Sequence, residues 1–125
     1  MLYDTDILIW VLRGNARAAR LVDDDAGRTV SLINYMELLQ GAFGRREARL
    51  IKSFLTECGF MILPLTENIG HRASIYMEEF SLSSGLRVAD ALIAATAAEN
   101  RLPLCTGDAR HFRSIRELEL SIFRP

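Results

Sequence analysis

The sequence predicts an α/β domain with three layers, α/β/α, around a central parallel sheet of four to five strands. Three observations carry this. Short apolar runs alternate with helical stretches of ten or more residues, which is the pattern of βαβ units. One intervening stretch, residues 90–101, is so uniformly apolar that it must be covered on nearly every side. The chain has 125 residues, 50% apolar and 25% charged. That suffices for one core, and no repeat or linker divides it, so residues 1–125 read as a single domain.

The elements follow in order. "MLYD" (1–4) reads as a short strand, and 6–12 as a helix. "RGN" breaks the chain before an amphipathic stretch that ends at Asp23, Asp24 and Asp25, an acidic run expected to face solvent. "RTVSL" (28–32) is a β-branched strand, and a helix runs from Asn34 to about Phe43. "RREARLIKSFLTEC" places Ala48, Leu50, Ile51, Phe54 and Leu55 at helical spacing, with Gly59 at its end. "FMIL" (60–63) reads as a central strand closed by Pro64. Thr66 caps a helix to about Phe80 that turns Ile69, Ala73, Tyr76, Met77 and Phe80 inward, and "SLSSG" reads as a loop. "LPLCT" is the fourth strand and "LSIF" a fifth.

Net charge is −1, so no global field advertises nucleic acid or an anionic membrane. Lys52 is the only lysine, against fourteen arginines. A GC-rich genome explains that bias unless the arginines cluster. Cys58 and Cys105 lack metal spacing and sit in apolar neighbourhoods, as buried free thiols would in a reducing cytoplasm. "ILIWVL" is too short to span a bilayer and lacks a basic leader, so the expected location is cytoplasmic.

Ligands of such sheets bind beyond the carboxyl ends of the strands. Asp4 ends the first strand and Asp108 lies just past the fourth; Glu37 and Asp90 lie in or near the opening turns of helices. Singly, each has a capping explanation: Asp4 as an N-cap, "NYME" as a capping box with Asn34 as the cap, Asp90 as a cap or first-turn acid. Together they share one sheet edge, where neighbouring carboxylates raise one another's pKa. A hard divalent cation such as Mg²⁺ or Mn²⁺ relieves this and activates water, so the pattern reads as metal-dependent phosphoryl transfer or hydrolysis. Receiver domains and dehalogenase-type phosphatases share acidic strand ends. Both need a downstream lysine, and Lys52 is in the first half.

"YDTDILIW", "NYMELLQGAF" and "ADALIAATAAENRLPLCTGDARHF" resemble, in order and along the whole chain, the blocks of PIN-domain ribonucleases, most closely the VapC-type toxins. The resemblance implies a central parallel sheet and an Mg²⁺- or Mn²⁺-dependent endoribonuclease. It places the family's four acids on Asp4, Glu37, Asp90 and Asp108, as metal ligands and catalytic groups, and the assisting hydroxyl on Thr106. Asp6 stands where the family usually has Asn or Ser, and Asn34 where Thr is commoner. His111 and Phe112 match the family's H-F. Phe112 reads as core, and His111 as a substrate contact or a helix-packing group. Arg87 reads as a phosphate ligand, a partner for a site acid, or a solvated side chain. Trp10 reads as core or interface.

The expected function is therefore an RNA-cleaving toxin, with a cognate VapB-like antitoxin that blocks the acidic pocket and a homodimeric assembly, both implied by the resemblance alone. The alternatives are a housekeeping PIN nuclease in RNA processing and a non-catalytic RNA-binding scaffold in which the acids only cap helices.

Overall fold

The strand at the centre of the sheet is the shortest. In the computed structural model, which describes all residues from 1 to 125, β1 is Leu2–Tyr3, followed by α1 (Thr5–Leu12), α2 (Ala16–Asp23) and β2 (Thr29–Ser31). Then come α3 (Leu32–Gln40), α4 (Arg45–Glu57), β3 (Met61–Leu63), α5 (Glu67–Ser84), α6 (Val88–Glu99), β4 (Leu104–Thr106) and β5 (Leu120–Ile122). The sheet order is β3-β2-β1-β4-β5, and every pairing is parallel. The three-layer parallel architecture expected from the sequence is present.

Side chains alternate along a strand, and here the alternation divides the interior in two. Leu2 and Leu104 join α5, α6, Phe112, Ile115 and Leu118 on one face. Tyr3, Val30 and Cys105 join α1–α4 and Phe123 on the other. The α6 helix buries Ala91, Ile93, Ala94, Ala95 and Ala97, as its nearly unbroken apolar sequence requires. Alanine lets the neighbouring helix approach closely at no rotamer cost. Thr66 caps α5 through Ile69 N at 3.2 Å, and Ile69, Ala73 and Tyr76 are buried as expected. Trp10 is partly buried against the second face of the core.

Three expectations need correction. "SLSSG" is not all loop, since α5 continues to Ser84. Ser83 bonds back to Glu79 O, so the serines stay helical, and Gly85 ends the helix at φ +68°. The strand at 61–63 is at the sheet edge, with Met61 and Ile62 exposed; an apolar run reports strand propensity, not coverage. The acidic run does not simply face solvent either. Asp25 accepts hydrogen bonds from Tyr3 Oη (2.9 Å), Gly27 N (2.9 Å) and the amino terminus (3.0 Å). Burial pushes its pKa up, but these donors outweigh burial and hold it below the usual range.

No helix is long and apolar enough to cross a membrane. Cys58 and Cys105 are free thiols; burial, with Asp6 and Asp4 nearby, pushes the Cys105 thiol up to about 11.

Candidate active site

Strand order reverses beside β1, which has β2 on one side and β4 on the other. The crevice beyond their carboxyl ends is where a ligand fits in a doubly wound sheet. The ladder itself builds the first contact. Asp4 N donates to Cys105 O at 2.8 Å, so Asp4 and Thr106 leave adjacent strands together. The Thr106 hydroxyl donates to Asp4 Oδ2 at 2.8 Å, and Thr106 is wholly buried. Asp4 also caps α1, accepting Thr5 N on Oδ1 at 2.8 Å. It caps a helix and lies in the acid cluster at once.

The second contact runs through Thr5. Its hydroxyl donates to Glu37 Oε1 at 2.6 Å and accepts from Asn34 Nδ2 at 3.1 Å. Asn34 is itself fixed by a reciprocal pair, Ser31 N to Asn34 Oδ1 (2.8 Å) and Asn34 N to Ser31 Oγ (3.2 Å). The capping box therefore exists, but Ser31 is the cap and Asn34 its third-residue partner, which corrects the assignment of Asn34 as cap and Glu37 as partner. The helix starts directly off β2 with no loop, so the start signal falls three residues earlier. Glu37 is left without a capping duty.

The third contact is Asp6. Its Oδ2 accepts Gly107 N at 2.9 Å. A Cβ at position 107 would lie 2.8 Å from that oxygen, so the close approach needs glycine. The other oxygen, Oδ1, is buried and has no hydrogen-bond partner.

These groups disfavour one another's charge. Burial, then the neighbouring Asp6 and to a smaller degree Glu37, push Asp4 up to about 7 against the opposing hydrogen bonds from Thr106 and Thr5. Burial also raises Asp6, with Asp108 adding to it and the Gly107 amide opposing. The cluster is short of positive charge.

The remaining predicted site residues are placed differently. Asp108 N donates to Thr106 Oγ1 at 3.1 Å, which joins its backbone to the cluster. Its carboxylate, however, turns to Arg110 in a two-pronged pair (Nε–Oδ1 2.9 Å, Nη2–Oδ2 2.8 Å), which holds it down at about 2. Asp90 sits in the first turn of α6 and accepts Arg87 N on Oδ2 at 3.2 Å. The Arg87 side chain is exposed and forms no ion pair. His111 Nδ1 lies 3.3 Å from Ser84 O at the end of α5, in a packing position. Phe112 is core. No three Asp, Glu, His or Cys side chains converge on one metal-sized point.

Beside Glu37 lies a groove of about 600 Å³ lined by Ile9, Leu12, Leu38, Phe43 and Leu50, with Phe43 93% exposed.

Residues 1–118 match the family model described as "PIN domain". The chain belongs to the PIN-domain family. This PIN domain is 33% identical over 126 residues to "Ribonuclease VapC10" of Mycobacterium tuberculosis, covering 95% of this chain and 90% of that protein. It is similar to the structure titled "Toxin-antitoxin complex from Klebsiella pneumoniae", with a TM-score of 0.77 and 29% identity over 94% of this chain and 93% of that one. A DNA-bound VapBC from Salmonella typhimurium superposes with a TM-score of 0.84 at 19% identity, over 97% and 96% of the two chains, a likeness of fold.

Sequence reasoning missed three contributors to the PIN-domain site: Thr5 as the bridge to Glu37, Gly107 as the amide for Asp6, and Arg110 as the partner of Asp108. Arg110 had a signal, two residues past Asp108. Thr5 had none, because its partner is 32 residues away.

Proposed function

We propose that this PIN domain is a metal-dependent endoribonuclease and the toxin of a VapBC-type pair. The observation that carries the reading is the Asp4 cluster at the switch point of a chain that matches a ribonuclease along 95% of its length. A buried carboxylate pushed to about 7 beside a second one with an orphaned oxygen makes an oxygen-donor pair short of a cation, although no three such groups converge on one point. That donor chemistry suits Mg²⁺ or Mn²⁺, which Asp4, Asp90 and Asp108, with Glu37, would hold once the Asp108 carboxylate leaves Arg110. Such an ion would supply positive charge to the scissile phosphate and lower the pKa of a bound water.

The chain's own groups have separable duties. Thr106 fixes Asp4 through Oδ2 and the Thr5 amide fixes it through Oδ1, so each oxygen keeps one further lone pair for ligand or substrate. Thr5 occupies Glu37 Oε1, so Oε2 is the oxygen left to orient a water as general base. Asn34 prevents Thr5 from turning away. Asp6 anchors the Gly107 amide and so positions the loop that carries Asp108. Arg87, exposed at the start of α6, would contribute a substrate contact, while His111 packs against the end of α5.

The partner reading draws on the groove beside Glu37. Its exposed apolar side chains suit a protein segment that reaches the acids once seated, and solved relatives are titled toxin–antitoxin and VapBC complexes. The chain would act as a homodimer.

Induced expression of the chain, with cleavage of labelled single-stranded RNA in Mn²⁺, tests the function. Growth arrest and cleavage that both vanish in Asp4→Asn are expected. Wild-type cleavage in that variant overturns the reading and returns the acids to helix capping.

A further inference from the structure

Fourteen arginines against a single lysine become informative once they are seen in space. Arg110, Arg113 and Arg124 line a cleft of about 380 Å³ whose wall includes Gly107 and Asp108. Ile122 and Arg124 continue it into a second cleft of about 330 Å³ that holds Arg17. All four arginines are exposed. Only Arg110 has an ionic partner, Asp108; Arg17, Arg113 and Arg124 pair with no carboxylate. Gly107, in the wall of the first cleft, gives its amide to Asp6, and the preceding Thr106 gives its hydroxyl to Asp4. The cationic cleft therefore adjoins the acid cluster.

The Arg110–Asp108 pair has the fork geometry in which a guanidinium binds a carboxylate or a phosphate equally well. It sits in water, with Arg110 and Asp108 side chains 81% and 46% exposed, so it is readily exchanged. Cations in excess of acids beside a phosphoryl-transfer site match a polyanion that runs past that site. We propose that this cleft grips the phosphate backbone of the RNA substrate, and that Arg110 exchanges the Asp108 carboxylate for a phosphodiester, freeing Asp108 for the acid cluster. The choice of RNA rests on the proposed ribonuclease function. The exchange makes the free enzyme hold one of its own acids in reserve until substrate arrives.

The test separates grip from exchange and needs no cleavage. Binding of a labelled single-stranded RNA is measured in EDTA across a salt series for wild type, Arg113→Gln, Arg124→Gln and Arg110→Gln. Arg101→Gln, before the amino end of β4 and so at the other end of that strand from the cleft, serves as control. Each cleft variant is expected to bind several-fold more weakly. The slope of log affinity against log salt should fall by about 0.7 per lost contact, while the control is unchanged. Wild-type affinity and slope in Arg113→Gln and Arg124→Gln overturn the cleft. Mn²⁺ is then titrated calorimetrically without RNA. Arg110→Gln is expected to bind the ion several-fold more tightly than Arg113→Gln, because both lose a nearby charge but only the first releases Asp108. Equal Mn²⁺ affinity in the two overturns the exchange. A chain that cleaves no RNA yet shows these binding losses would refute the nuclease and leave the cleft standing.

Discussion

Thr106 and Asp4 are 102 positions apart in sequence, and the hydroxyl of one lies 2.8 Å from the carboxylate of the other. That bond opposes the burial that raises Asp4. Thr106→Val keeps the shape and removes the donor, so Asp4 should rise further and cleavage should slow. A hydrogen bond to a charged group is worth roughly 1.5–3 kcal/mol, which sets the expected loss at tenfold or more. Thr106→Ser should recover most of the rate. A valine variant with the wild-type pH–rate profile would count against the role given to this hydroxyl.

Asp4 should also give the metal-free protein an unusual pH dependence. Its unfolded value is near 3.9, and its folded value is about 7. Between these the folded state keeps a proton that the unfolded chain has lost, so stability falls as pH rises from about 4 to 7, by on the order of a few kcal/mol. Asp4→Asn removes that slope. In EDTA it should melt above wild type at pH 8 while cleaving RNA far more slowly. Parallel melting curves for both proteins from pH 4 to 8 would contradict the assignment.

Asn34 is wholly buried and serves two partners, Ser31 N and Thr5 Oγ1. Asn34→Ala strips both at once, leaving a buried amide unsatisfied, at a cost of about 1–3 kcal/mol by denaturant unfolding. Cleavage should fall as well, because Thr5 loses the bond that aims it at Glu37. Glu37→Gln should instead lose activity with little change in stability. If Glu37→Gln is fully active but less stable, the residue is structural.

Gly107→Ala drives a methyl group to within 2.8 Å of Asp6 Oδ2. The variant should be destabilised, and Asp6→Ala in the same chain should relieve most of the clash. A double-mutant cycle reads this as a coupling term beyond the sum of the single changes. Strict additivity would mean that the loop moves without regard to Asp6.

The metal is tested directly by calorimetry with Mn²⁺. Binding should weaken sharply in Asp90→Asn, and the ion should raise the melting temperature of wild type by mass action. Unchanged Mn²⁺ affinity in Asp90→Asn would remove that residue from the ligand set.

Much of this was legible in the sequence. Alternating runs gave the layers, and the apolar Ala-rich stretch gave the buried α6. The positions of Asp4 and Thr106 at strand ends follow from strand assignment alone, since adjacent parallel strands deliver their last residues to one place. Spacing could not say which of two overlapping cap signals starts α3, because "SLIN" offers the serine cap without the acidic partner and "NYME" the acidic partner without the serine. It also could not show where carboxylates point. The Asp108 backbone joins the cluster just past the fourth strand, but an arginine two residues on decides where its carboxylate points. The edge position of 61–63 was hidden because strand order is a matter of topology, not of local composition.

The sheet order has a consequence for when the site comes into being. Asp4 is made 102 residues before Thr106, yet its amide needs the carbonyl of Cys105 and its carboxylate needs the hydroxyl of Thr106. A chain emerging from the ribosome therefore carries Asp4 unplaced until β4 has been synthesised. Closing so long a loop is slow compared with forming the helices between. The acid cluster is complete only once β4 has paired with β1, so a product that stops before β4 would lack it.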